Sequence, residues 1–308
     1  MSDEIREGEP KGVTRRALLK GALALAGALT LNTIATRSDN AAKEKASQTR
    51  ELSKNPDPGL EIRNFTLENF NPKEKDVSER SIRYFSSHYL SSSIFPERVI
   101  TIHNEYRTFI DDAYEVIKSK GFDINPFWKE IMPGLILAES SANPKTEPDI
   151  GLCQLRAPAI ADVRALLGKE YENADPNDPK TNITFALAYL IRLSNNYKSP
   201  DMAIWAYNLG MGTLNQTIKA YAIEKLGEAH KADIENTLGD PKRGPSSLIK
   251  ANEINALKII QSQSAIDKIQ EIAPKTLEGE RRFYFWKVIG AAQAYREAEK
   301  HIFPQSKI

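Results

Sequence analysis

Ile183-Thr-Phe-Ala-Leu-Ala-Tyr-Leu-Ile-Arg-Leu193 is apolar nearly all the way round a helical wheel. A helix with no polar face must be buried on every side, so this run predicts a central helix in a helical core. Asp178-Pro-Lys-Thr-Asn182 precedes it and supplies candidate N-caps and a proline suited to a first turn.

Working outward, the same helical period recurs. Val99, Ile102, Tyr106, Phe109, Ile110, Ala113 and Ile117 fall on one face, with Pro96 at the start and Gly121 as a stop. A second stretch runs from about Pro126 to Ala142, where Pro133 must kink the helix or start a new one. Further helices are expected over 158–168, from Asp201 to Gly210 and over about 213–226. The last starts near Glu278, with Tyr284, Val288, Ala291 and Tyr295 on one face. No run alternates convincingly, so the expected fold class is mainly α.

The N-terminus reads differently. Thr14-Arg-Arg-Ala-Leu-Leu-Lys20 precedes the apolar stretch Gly21–Leu31. A basic segment, a short apolar segment and then polar residues is the order of a secretory signal, and the arginine pair resembles a twin-arginine export signal. About eleven apolar residues fall short of the ~20 a spanning helix needs, which favours a signal over an uncleaved tether. The expected domains are therefore a signal peptide over 1–42, a polar linker or loosely docked segment over 43–92, and a main domain over 93–308. The expected destination is the periplasm, with no membrane span after signal cleavage.

Composition narrows the chemistry. A formal charge of +1 gives no global field for nucleic acid or anionic membrane. One cysteine, Cys153, excludes an internal disulfide framework, and His88, His103, His230 and His301 show no metal-ligand spacing. No cofactor is expected, and chemistry rests on carboxylates and hydroxyls.

Glu139 closes the apolar run Ile131-Met-Pro-Gly-Leu-Ile-Leu-Ala138. A carboxyl there loses hydration, which raises its pKa and suits a general acid. A structural ion pair is the alternative for Glu139 taken alone. Its surroundings form an ordered set: Glu139-Ser140-Ser-Ala-Asn143-Pro144, Gly151-Leu-Cys-Gln154-Leu-Arg-Ala-Pro158, Asp178-Pro179…Asn182-Ile183, Ala206-Tyr207-Asn208-Leu-Gly210-Met-Gly212, and Glu280-Arg-Arg-Phe-Tyr284. This order resembles the soluble lytic transglycosylase family over about residues 127–297.

The resemblance implies a lysozyme-like domain that cleaves peptidoglycan glycan strands without water. By position it makes Glu139 the catalytic acid/base and Gln154 a cleft residue. It makes Tyr207 a tyrosine that hydrogen-bonds the catalytic carboxylate, with Asn208 beside it, and places Glu280 and Tyr284 at the borders of the substrate subsites. Short turns at Gly151 and at Gly210/Gly212 would let backbone approach a polysaccharide. Two departures stand out: Cys153 replaces the usual Met, and Glu147-Pro-Asp149 precedes Gly151, so Asp149 is a candidate second carboxylate. A hydrolytic muramidase using Asp149 or Glu147, and a catalytically silent wall-binding protein, are the rival readings. Residues 226–275 look like a partly helical insertion, and cell-wall or secretion machinery is the expected company.

Overall fold

The structure is a computed structural model and describes residues 58–144, 149–240, 243–273 and 282–304. The signal-like segment, residues 43–57, Glu147 and Glu280 lie outside the described residues.

In chain order the helices are α1 (Pro58–Thr66), α2 (Pro72–Leu90), α3 (Phe95–Thr101), α4 (Arg107–Ser119), α5 (Phe127–Ser140), α6 (Ala157–Leu167) and α7 (Pro179–Tyr197). They continue as α8 (Pro200–Leu209), α9 (Met211–Leu226), α10 (Lys231–Gly239), α11 (Gly244–Ala251), α12 (Ala256–Ile260), α13 (Gln263–Ile272) and α14 (Tyr284–Ile302). Among the described residues no strand forms, and one isolated bridge pairs Ile150 with Leu155. The fold is mainly α, as the periodicities predict.

Asp178 caps α7 by accepting from the Thr181 amide at 2.8 Å, with Pro179 in the first turn. Its apolar run is buried on nearly every side. The expected helix over 96–120 is split: a π-helical turn, Ile102–Tyr106, separates α3 from α4, while Val99, Ile102, Tyr106, Ile110, Ala113 and Ile117 all remain in the core. α5 runs on through Pro133 without ending there.

The centre of the molecule is α14 as much as α7. All its residues from Tyr284 to Arg296 except Lys287 are buried. α5 packs on one flank and α2 on another. Two glycines permit this. A Cβ on Gly134 of α5 would stand 2.4 Å from the Val288 carbonyl oxygen, and one on Gly290 of α14 would stand 2.8 Å from that of Ile82. The backbones meet where no side chain can fit. Arg296 and Glu130 add a buried ion pair between α14 and α5.

Of the expected polar linker or loosely docked segment over 43–92, residues 58–90 are mostly helical and pack into the core. Ser78, Ile82, Phe85 and Ser86 form the buried stripe of α2, and Ile62, Leu67 and Phe70 join the same core. Serines in half of that stripe hid the helix from an apolar count; they are small enough for close helix packing. Asn71 and Glu74 also form a capping box at the start of α2.

Residues 226–275 fold largely as α10–α13 and are fastened to the rest. Asp201, fully buried at the start of α8, accepts from Ser199 Oγ and from the Ala256 amide at 2.7 Å. Glu74 Oε2 accepts from Asn255 Nδ2 at 2.9 Å, which joins α2 to the cap of α12.

Candidate active site

Glu139 sits in the last turn of α5, which ends where Ser141 turns left-handed at φ 53° and Ala142 follows at φ 61°. Ser140 points inward, its hydroxyl donating to the Ile136 carbonyl at 3.2 Å. Glu139 itself is half-buried and reaches a cleft of about 310 Å³. Burial pushes its carboxyl up to about 7, against the opposing pull of the Tyr284 hydroxyl and the Lys287 cation. The carbonyl end of α5 acts in the same direction as burial, since it disfavours an anion in the last turn.

Tyr284 is the residue that holds this carboxylate. It is buried in the first turn of α14 and donates its hydroxyl to Glu139 Oε1. The close approach at Gly134 brings the two helices near enough for this bond. Burial pushes the Tyr284 phenol up, so it remains a donor. One expectation is corrected here. Tyr207, expected to bond the catalytic carboxylate, does not bond Glu139, and Tyr284 makes that bond instead. The Tyr207 hydroxyl is committed to the Cys153 carbonyl at 2.8 Å.

The opposite wall is the loop 149–155. Its ends pair through reciprocal amide bonds between Ile150 and Leu155, each 3.0 Å. Fully buried Asn182 supports it from below: Oδ1 accepts from the Cys153 amide at 2.8 Å, and Nδ2 donates to the Ile150 and Pro176 carbonyls at 3.0 and 2.8 Å. A Cβ on Gly151 would meet Asn182 Nδ2 at 2.4 Å. The absent side chain of Gly151 therefore makes room for Asn182, and not for a polysaccharide. Gly210 and Gly212, by contrast, do line the cleft.

Gln154 lines the cleft from an unusual backbone, φ 50°, with its Nε2 donating to the Gly151 carbonyl at 2.7 Å. Tyr207 lines it with one face and packs its ring 5.6 Å from that of Tyr189. Asn208 lines it too, and its Oδ1 is buried without a hydrogen-bond partner among the described residues. An acceptor left dry beside a cleft is one that a ligand donor can satisfy. Asp149 shares the cleft, its Oδ1 lying 3.6 Å from Arg156 Nε. Cys153 is fully buried and its thiol is pushed up by burial, which removes nucleophile chemistry there.

The structure thus gathers Glu139, Asp149, Gln154, Tyr207 and Asn208 around one cleft, with Tyr284 behind Glu139. Arg156, Asp162, Tyr189 and Met211, which the sequence did not single out, also line the cleft. Tyr189 had a trace in the sequence, as the residue with a hydroxyl-bearing ring in the apolar run of α7. Among the described residues no group of His, Cys, Asp or Glu is arranged to hold a metal ion, and no helix is long and apolar enough to cross a membrane.

Comparison with known proteins bears on the same region. No curated protein and no solved structure matches the chain. Residues 123–227 match the family model described as Transglycosylase SLT domain. The matched stretch holds Glu139, Asp149, Gln154, Tyr207 and Asn208 and stops short of Tyr284. A transglycosylase SLT domain is therefore present over residues 123–227, and it supports an enzymatic activity of the lytic-transglycosylase type in general terms.

Proposed function

We propose that the protein cleaves the β-1,4 bond between MurNAc and GlcNAc of peptidoglycan without water, with Glu139 as the single acid/base. The observation that carries this reading is the half-buried Glu139, raised to about 7, hydrogen-bonded by Tyr284 and facing a cleft lined by tyrosine and amide side chains.

Protonated Glu139 donates to the bridging oxygen as the C1–O bond breaks and GlcNAc leaves with a hydroxyl. The MurNAc ring acquires oxocarbenium character. The carboxylate then takes the proton from the C6 hydroxyl of that sugar while its oxygen closes onto C1. The product is a 1,6-anhydro-MurNAc end, and Glu139 is protonated again. One carboxylate suffices because it acts first as acid and then as base, unlike the usual pair in glycoside hydrolysis. A group whose pKa stands near neutrality is matched to both halves. No cofactor takes part in these steps. The export-signal reading of residues 14–31 supports a periplasmic destination, where such a substrate lies.

The test is release of soluble fragments from purified cell-wall sacculi. The parent protein is expected to release them and Glu139→Gln to release none above background. Undiminished release by Glu139→Gln would remove the assigned acid.

Asp149 favours one second reading, a muramidase in which its carboxylate activates water, because it lines the same cleft as Glu139. Its neighbour Arg156 would have to release it for that role.

A further inference from the structure

A second, smaller cavity of about 150 Å³ borders the α5 terminus. Leu137 and Ser141, two residues before and after Glu139, form one wall. The rest comes from α2, α3 and the turn between them: His88, Tyr89, Ser92, Ile94, Phe95 and Arg98. These six lie outside the stretch that matches the transglycosylase domain.

Three features give this cavity a chemistry. First, Arg98 Nε is buried with no hydrogen-bond partner, and Arg98 makes no ion pair among the described residues. A guanidinium left unpaired and partly desolvated favours an anion, and its fork fits a carboxylate. Among the described residues no acidic side chain lines the cavity to supply one. Second, the walls are mixed. Phe95 and Leu137 are apolar, while Ser92 and Ser141 carry hydroxyls. Third, the cavity adjoins the reacting centre. Tyr89 stands near enough to Tyr284 to disfavour its ionisation, and Tyr284 bonds Glu139. Ser141 also carries the strained left-handed backbone that ends the Glu139 turn.

The volume decides what could enter. Whole-ligand pockets run to about 300 Å³ and more, so 150 Å³ suits a side group and not a further sugar pair. In peptidoglycan the carboxylate-bearing side group is the stem peptide on MurNAc. We propose that this cavity is a stem-peptide subsite, in which Arg98 pairs a peptide carboxylate while the glycan lies in the larger cleft. The inference rests on the glycan-cleaving reading, and it makes Arg98 a specificity residue contributed from outside the matched domain. Loss of a charge-assisted bidentate contact is read as a loss of roughly tenfold in affinity.

The experiment compares the full-length parent with Arg98→Gln on two substrates. One is glycan strands that carry free-acid stem peptides; the other is the same strands stripped by an amidase. Arg98→Gln is expected to lose about tenfold in kcat/KM on the peptide-bearing strands and to match the parent on stripped ones. An equal loss on both, or no loss on either, overturns the subsite. Arg98→Lys serves if Arg98→Gln does not fold: it keeps the charge without the fork, and a smaller loss confined to peptide-bearing strands is expected. Should the parent cleave neither substrate, the cleavage reading fails and binding decides the cavity separately. Calorimetric titration with N-acetylmuramyl-L-alanyl-D-isoglutamine is then expected to show saturable binding that Arg98→Gln weakens about tenfold. No binding to the parent overturns the subsite.

Discussion

Glu139 carries a conflict between stability and chemistry. Its carboxyl is raised from 4.5 to about 7 by burial, so the folded protein holds a proton that the unfolded chain releases earlier. Stability from this group is full below about pH 4.5 and is lost as pH rises towards 7. Glu139→Gln keeps an acceptor for Tyr284 and cannot ionise. Above pH 7 it is expected to be more stable than the parent by about 1–3 kcal/mol, a difference that vanishes near pH 4.5. Paired thermal melts at the two pH values measure this. Cleavage needs the protonated acid at its first step, so the rate is expected to fall above pH 7. Tyr284→Phe removes the bond that favours the carboxylate. The alkaline limb should then move upward while kcat drops about tenfold, which a pH–rate profile reads out. An unmoved limb would mean that Tyr284 does not act on Glu139. The buried acid was legible in the sequence because the apolar run ends on it. Its partner was not: Tyr284 lies 145 residues away, and the bond depends on how two helices cross.

At the scale of elements, helices and loops are held by small residues and buried amides whose purpose is invisible locally. Gly134 looks like a mild helix-weakening residue in a chain read alone, yet a methyl there would meet the α14 backbone. Gly134→Ala is expected to cost about 2–3 kcal/mol by forcing α5 and α14 apart, and to lower cleavage as Tyr284 leaves Glu139. Denaturant unfolding and sacculus digestion measure the two effects. Asn182 is the counterpart across the cleft. Asn182→Ala leaves the Cys153 amide and the Pro176 carbonyl without partners and takes one of two donors from the Ile150 carbonyl, at an expected cost of about 2–4 kcal/mol. Hydrogen exchange at the Cys153 amide should quicken in that variant if it folds. The Asp178 cap and the helix of α7 were readable from the sequence, because capping and periodicity are local. The serine stripe of α2 was not, because Ser78 and Ser86 are buried by packing against α14 and carry no apolar mark.

For the whole molecule, the matched domain is not the folding unit that makes the site. α14 lies between α2 and α5, and both it and the α2 helix fall outside residues 123–227. A fragment limited to 123–227 would expose the apolar faces of α5 and α8 that α14 covers. It is expected to show no cooperative thermal transition by circular dichroism, whereas the chain from residue 56 onward should unfold in one step. The mainly α class and the order of the site segments were plain from periodicity and motif spacing. The contribution of α2 and the exchange of roles between Tyr207 and Tyr284 depended on tertiary crossing, which no local pattern encodes. Under the proposed mechanism Glu139 cleaves glycan by intramolecular attack of the C6 hydroxyl. Sacculi digested in heavy-oxygen water and read by mass spectrometry test it most directly. Anhydro-MurNAc ends lighter by one water than reducing ends and free of heavy oxygen are expected, all absent with Glu139→Gln. Reducing MurNAc ends carrying heavy oxygen would contradict it and transfer the second step to a water activated by another group.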